Sequence, residues 1–262
     1  MKHVGSALRI AYVVAIFGFI LLPVLSLVLF SFQDGAVALP PLRGLSFRWY
    51  EALFADGRMM AALRHSALVG VVSATICTVL GFLAAYGLAR YRPRGAQLLR
   101  AYLIAPLGVS YLVIGLGLSL GFSELSIGRS LVTVTIGHVV INLPLAFAII
   151  LSQMSEQQER YERAARDLGA GEVQVLGLIT VPILAPGLLA AFLLSFTLSW
   201  DEFVIALLLT RFDVTLPVEI WSALRTGLNP KTNAAGTIVF ALSIGMLIIT
   251  YAITRRRLER RQ

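Results

Sequence analysis

The sequence predicts an all-α, polytopic membrane protein with six transmembrane helices, and three observations carry that reading. Six apolar runs, each longer than 20 residues, recur along a chain of 262 residues. Hydrophobic residues make up 58% of the chain and charged residues only 14%, with a mean hydropathy of +0.83, too little charge to cover the surface of a soluble domain. The cations behind the net charge of +8 sit between and after the apolar runs. A hydrocarbon core of about 30 Å needs about 20 helical residues to cross it, and a helix satisfies its own backbone polar groups within lipid. One domain, a helical bundle over 1–262, accounts for the chain.

The first run, Ile10–Phe32, follows Lys2 and Arg9. It exceeds the length of a signal-peptide core, so it reads as an uncleaved span over 10–32. Further spans fall at 65–89, 101–123, 131–151, 183–209 and 234–254. The fifth is interrupted by Asp201 and Glu202, whereas the others contain no Asp, Glu, Lys or Arg. Six spans put both termini on one side. Lys plus Arg total 14 on that side and 8 on the other, so the positive-inside rule makes both termini and the loop 152–182 cytoplasmic. The segments Arg90-Tyr91-Arg92-Pro93-Arg94 and Arg255-Arg256-Arg257 weigh most. Pro23, Pro106 and Pro144 mark expected kinks. His138 and Asn142, four apart, read as interhelical hydrogen-bond glue, and Gly117 with Gly121 as a close helix contact.

Cations placed in this way read as topology signals and headgroup contacts rather than a nucleic-acid surface. The single cysteine, Cys77, lies inside an apolar run and reads as a small buried hydrophobe.

The loop 152–182 is strongly patterned. Ser155 with Gln158 fits a capping box. Tyr161, Ala164, Ala165 and Leu168 then fall at i, i+3, i+4 and i+7, one apolar stripe on a short helix. Gly169 follows as a helix end. Two readings fit such a helix: one lying on the membrane surface, or a docking element inserted into a partner's groove.

Arg163-Ala164-Ala165, three residues, Gly169, nine residues, then Ile179-Thr180-Val181-Pro182 resembles the EAA loop of ABC importer permeases. That pattern reads E-A-A, three residues, G, nine residues, I, any residue, L-P. The spacing matches throughout, but Arg163 stands where the pattern has Glu, with Glu162 just before it, and Val181 stands for Leu. The resemblance implies the MetI-like permease fold and a multi-pass protein of the bacterial inner membrane. It also implies an ATPase-coupling set of Glu162, Arg163, Ala164, Ala165, Asp167, Leu168, Gly169 and Pro182. The implied partners are an ATPase subunit dimer at this loop, a second permease subunit of a different homologous chain, an extracytoplasmic solute-binding protein, a small-molecule solute and membrane lipid.

Other segments are similar to the polyamine (spermidine/putrescine) permease branch. They are Phe47-Arg48-Trp49-Tyr50, Ala84 to Tyr91, Ser199 to Ile205, Thr215-Leu216-Pro217-Val218, and Asn229-Pro230 with Asn233. The implied solute is a polyamine, with another amine, an organic acid or a phosphonate as alternatives.

A carboxylate at membrane depth costs at least about 2.5–3.5 kcal/mol, so Asp201 and Glu202 should face a cavity or a partner. Trp200 offers an aromatic face to a cation, and Ser199 a hydroxyl. With Trp49 from the resembling segment, these form the candidate solute path, Asp201 leading. The plainer reading is an interfacial Trp-plus-acid anchor.

The chain has two lysines, Lys2 and Lys231, and neither sits in a G-x-x-x-x-G-K-[ST] loop. ATP and Mg are therefore expected on a separate ATPase, with no cofactor on this chain and no enzymatic role for it. Histidines at 3, 65 and 138 lack metal-ligand spacing. Two other classes compete with the importer permease. An ion-driven transporter would show paired broken helices in two repeats, and a membrane enzyme would need a nucleophile–base or metal set.

Overall fold

The computed structural model describes residues 2–91, 93–227 and 229–259. Arg92, Arg260 and Arg261, which contribute to the cation count of the topology argument, lie outside the described residues. The described chain is helical throughout: α1 (Lys2–Ser31), α2 (Arg48–Phe54), α3 (Gly57–Tyr91), α4 (Ala96–Ile104), α5 (Tyr111–Glu124), α6 (Leu131–Gln153), α7 (Glu156–Asp167), α8 (Glu172–Val175), α9 (Val181–Trp200), α10 (Val204–Leu209), α11 (Leu216–Thr226) and α12 (Pro230–Glu259). Among the described residues the sole β pairing is an isolated bridge between Gln33 and Leu45.

Among the described residues, five helical stretches are long and apolar enough to cross a membrane: Tyr12–Ser31, Gly57–Tyr91, Leu131–Gln153, Glu172–Trp200 and Pro230–Ile249. The sixth candidate differs from the straight span expected over 101–123. Here α4 and a 3-10 turn (Ala105–Gly108) meet α5 at a bend of 105°. The break follows Pro106, which lacks the N–H that would continue a helix, and Val109 and Ser110 are extended. The fifth span also differs from 183–209. It starts at Glu172, runs through a π-helical turn (Leu176–Thr180), and its α9 part ends at Trp200. The second span starts at Gly57, not 65.

The chain forms two compact units, Met1–Met60 with Glu219–Ala241 and Ala61–Val218 with Leu242–Gln262. In the first, the buried Gln33 organises the segment after α1. Its Nε2 donates to the carbonyls of Leu39 (3.3 Å) and Pro41 (3.2 Å), and its Oε1 accepts from Arg43 N (3.0 Å). Phe32, Phe47 and Tyr50 cluster beside it. Lys231 at the start of α12 pairs with Asp56 at 2.6 Å.

In the second unit, α6 packs against α9, and α5 and α6 pack against α10. Val69, Val134, Ile141, Ile205, Ala206, Leu209 and Val218 make one core cluster. Cys77, Ala85, Ala146, Phe147, Ile150 and Ala191 make another. Gly137 permits the closest approach, because a Cβ there would meet Ile205 Cγ2 at 2.5 Å. Gly117 and Gly121, the expected close contact, have nothing within 4 Å of a would-be Cβ in this chain. Many large apolar side chains of α1, α3 and α5 are exposed, as suits surfaces facing lipid.

Candidate functional site

Two constellations stand out in the second unit: the loop helix α7, and the end of α9.

Helix α7 begins where Ser155 Oγ accepts from Gln158 N at 3.2 Å, one half of the predicted capping box. It ends in a Schellman closure: Gly169 N bonds to Arg166 O (2.9 Å) and Ala170 N to Ala165 O (3.0 Å). Gly169 has φ +86°, the left-handed conformation that glycine adopts without strain. The glycine of the motif is therefore a backbone requirement, since nothing lies within 4 Å of its would-be Cβ.

The two long faces of α7 are chemically opposite. Outward lie Tyr161 (51% exposed), Ala164 and Leu168 (89% exposed), with Ala165 half-buried. Arg163 is also exposed and pairs with Glu159 one turn back. Inward lie Gln158 and the fully buried Glu162. Glu162 accepts from Arg90 Nε (2.7 Å) and a second guanidinium nitrogen (3.2 Å), and from Thr180 Oγ1 (2.9 Å). Beside it, Arg166 donates bidentately to Glu172 (2.9 and 3.1 Å) and to the Tyr86 hydroxyl (3.0 Å). The Glu172 carboxylate holds the Arg166 guanidinium above its ordinary pKa. Asp167 is exposed, and Pro182 lies in the first turn of α9.

At the other end of α9 the four solute-path candidates separate. Ser199 is buried, with Ser73 Oγ donating to it at 3.0 Å and His138 Nδ1 in hydrogen-bond contact with it at 2.6 Å. Trp200 is buried and stacks on Phe196. Glu202 is buried, and its Oε1 accepts from Ile205 N at 2.8 Å, closing the first turn of α10. Asp201, the residue where α9 stops, is exposed. The acids thus sit in a break between two helices rather than inside one. Trp49 belongs to the first unit, where its indole N–H donates to Gln33 O (2.7 Å) beneath the Arg48 guanidinium.

Sequence reasoning passed over Arg90, Thr180, Tyr86 and Glu172 as partners of the loop helix. The signal was partly present: Gln158, Glu162 and Arg166 recur every four residues, a polar stripe opposite the apolar one.

A helical membrane bundle that holds an amphipathic loop helix with its apolar stripe outward has the build of a transport permease subunit. The chain belongs to the binding-protein-dependent transport system inner membrane component family, whose profile matches residues 77–262. It is a multi-pass inner-membrane permease, and its family is one of transport components, not of enzymes. The chain is 32% identical over 250 residues to the spermidine/putrescine transport system permease protein PotC of Haemophilus influenzae, covering 95% of this chain and 97% of that one. It is 34% identical over 266 residues to the putrescine transport system permease protein PotI of Escherichia coli K12, covering 98% and 94%.

Among solved structures, a bacterial ABC transporter involved in the import of the acidic polysaccharide alginate matches with TM-score 0.69 and 18% identity, covering 97% of this chain and 96% of that one. The alginate transporter in complex with its pentasaccharide-bound periplasmic protein matches with TM-score 0.72 and 15% identity, covering 97% and 95%. At these identities the likeness shows the fold alone, that of ABC importer permeases.

Proposed function

We propose that this chain is one of two different permease subunits of an ATP-driven importer for a polyamine such as spermidine or putrescine. An extracytoplasmic binding protein delivers the solute. ATP and Mg are bound by a separate ATPase dimer, which engages α7 from the cytoplasm. Both chain termini lie on that same side.

The observation that supports coupling through α7 is its outward apolar stripe. Tyr161, Ala164 and Leu168 are exposed although the helix is firmly anchored by its other face. A short helix that presents an apolar stripe with small residues at its centre suits a groove on a partner. The solute class is supported by the names of the relatives and by Asp201. An exposed carboxylate at a helix break offers negative potential to an alkylammonium, and moderate attraction permits release.

The test is reconstitution. The permease pair, co-expressed with its ATPase and binding protein, is placed in liposomes with labelled spermidine, putrescine or a small organic anion. ATP-dependent accumulation of the amines alone is the expected result. Accumulation of the anion instead would overturn the solute class, and failure of an ATPase to co-purify would overturn the coupling.

A further inference from the structure

The buried face of α7 is unusual for a loop helix: it is held by charge rather than by apolar packing. Glu162 is fully buried and its partner Arg90 has a side chain only 8% exposed. A buried ion pair gives little net stability against apolar residues of similar size, because desolvation offsets the attraction. What such a pair does supply is a fixed geometry, since a bidentate guanidinium–carboxylate contact specifies both distance and orientation.

The geometry here joins three helices. Arg90 and Tyr86 are one turn apart at the end of α3, and each meets α7, through Glu162 and Arg166 respectively. Thr180 and Glu172 lie on the stretch that runs unbroken into α9, and each meets the same two residues of α7. Two adjacent three-way junctions, Arg90–Glu162–Thr180 and Tyr86–Arg166–Glu172, therefore tie one rung of α7 to both spans. A single contact would leave a swivel, whereas two in parallel remove it.

We infer that Glu162 and Arg90 form a strut that makes α7, the end of α3 and the start of α9 move as one body. Displacement of α7 by a bound partner is then transmitted along the unbroken helix to Ser199, Trp200 and Asp201 at its far end. Glu162 is on this account a positioning residue: it touches neither solute nor partner. Its neighbour Arg163, exposed on the outer face, is left to the partner. The inference rests on the reading that α7 docks an ATPase.

The test separates the two. Cys77, the chain's single cysteine, is replaced by Ser, and spin labels are placed at Tyr91→Cys on α3 and Arg160→Cys on α7, leaving the strut intact. In the complete complex the α3–α7 distance is expected to be the same with and without a non-hydrolysable ATP analogue. A change of more than about 2 Å, the scale of a helix shift at an interface, would overturn the strut while leaving docking intact. A complex from which the ATPase is absent would overturn the docking reading and the strut with it. As a second readout, Glu162→Gln and Arg90→Met are compared at equal assembled amounts. Solute moved per ATP hydrolysed is expected to fall at least about fivefold. A purely structural role predicts lower abundance with an unchanged ratio, and that result would overturn the inference.

Discussion

Ser199 Oγ lies 2.6 Å from His138 Nδ1, a buried hydrogen bond across the α6–α9 seam. This contact gives Ser199, which the sequence assigns to the solute path, a partner inside the bundle. Ser199→Ala and His138→Ala should each lower the stability of the complex by about 0.6–2 kcal/mol, the range for interhelical hydrogen bonds in membranes. Ser199→Ala should leave the half-saturating solute concentration unchanged. Thermal unfolding in detergent and initial uptake rates check the two halves; a shifted half-saturation at normal stability would return Ser199 to the path.

The two acids should separate in the same way. Asp201→Asn is expected to raise the half-saturating polyamine concentration about 3- to 10-fold, a change on the order of 1 kcal/mol, with normal assembly. Glu202→Ala removes the acceptor for Ile205 N and should instead reduce the amount of assembled complex. Uptake per assembled complex is the quantity to measure, and unchanged uptake in Asp201→Asn would take that residue off the path.

The outward stripe of α7 should tolerate neither charge nor a strained backbone. Ala164→Asp places an unpaired charge in an apolar contact and should uncouple ATP hydrolysis from uptake while the protein still inserts. At Gly169, with φ +86°, Asn should be tolerated better than Val, because a β-branched residue pays most for that conformation. Full uptake by the Ala164→Asp complex, or equal function of Gly169→Asn and Gly169→Val, would contradict these roles.

Acid should loosen one contact of the first unit in a defined window. The Lys231 ammonium donates to Asp56 and holds its carboxyl below the ordinary carboxylate value of 3.8. A depressed folded value stabilises the fold above the unfolded pKa, and that contribution is lost as pH falls through the lower, folded one. The contact is worth up to about 1 kcal/mol above about pH 3.8, so amide protection factors near Lys231 should fall as pH drops below that value. In Asp56→Asn this pH step should be absent.

Topology is checked by fusions. Reporters at Gln262 and within 210–233 should report opposite sides of the membrane; the same side for both would refute six crossings.

The readability of this chain from sequence follows the range of the interactions involved. Helix α7 was legible because Ser155, the apolar stripe and Gly169 act within one or two turns. The bend between α4 and α5 was not, because hydropathy measures composition and is blind to chain direction. Pro106 signalled a disturbance there, but not a 105° turn. The break at Asp201 and Glu202 was visible as charge, whereas their division into an exposed acid and a helix-closing one depends on a backbone contact three residues on. The partners of Glu162 were hidden by separation: Arg90 is 72 residues away in sequence, and nothing local marks it.

The π-helical turn at Leu176–Thr180 has a consequence for phase. Eight residues along a regular α-helix advance about 800°, which would set Glu172 and Thr180 about 80° apart around the axis. One extra residue in a widened turn takes back about 100°, bringing the two within about 20° of the same azimuth. The turn thus acts as a vernier that lines both side chains up toward α7. Deleting one residue of the turn, such as Gly177, whose would-be Cβ meets nothing within 4 Å, would restore a regular helix in which Glu172 and Thr180, then seven residues apart, still lie within about 20° of the same azimuth.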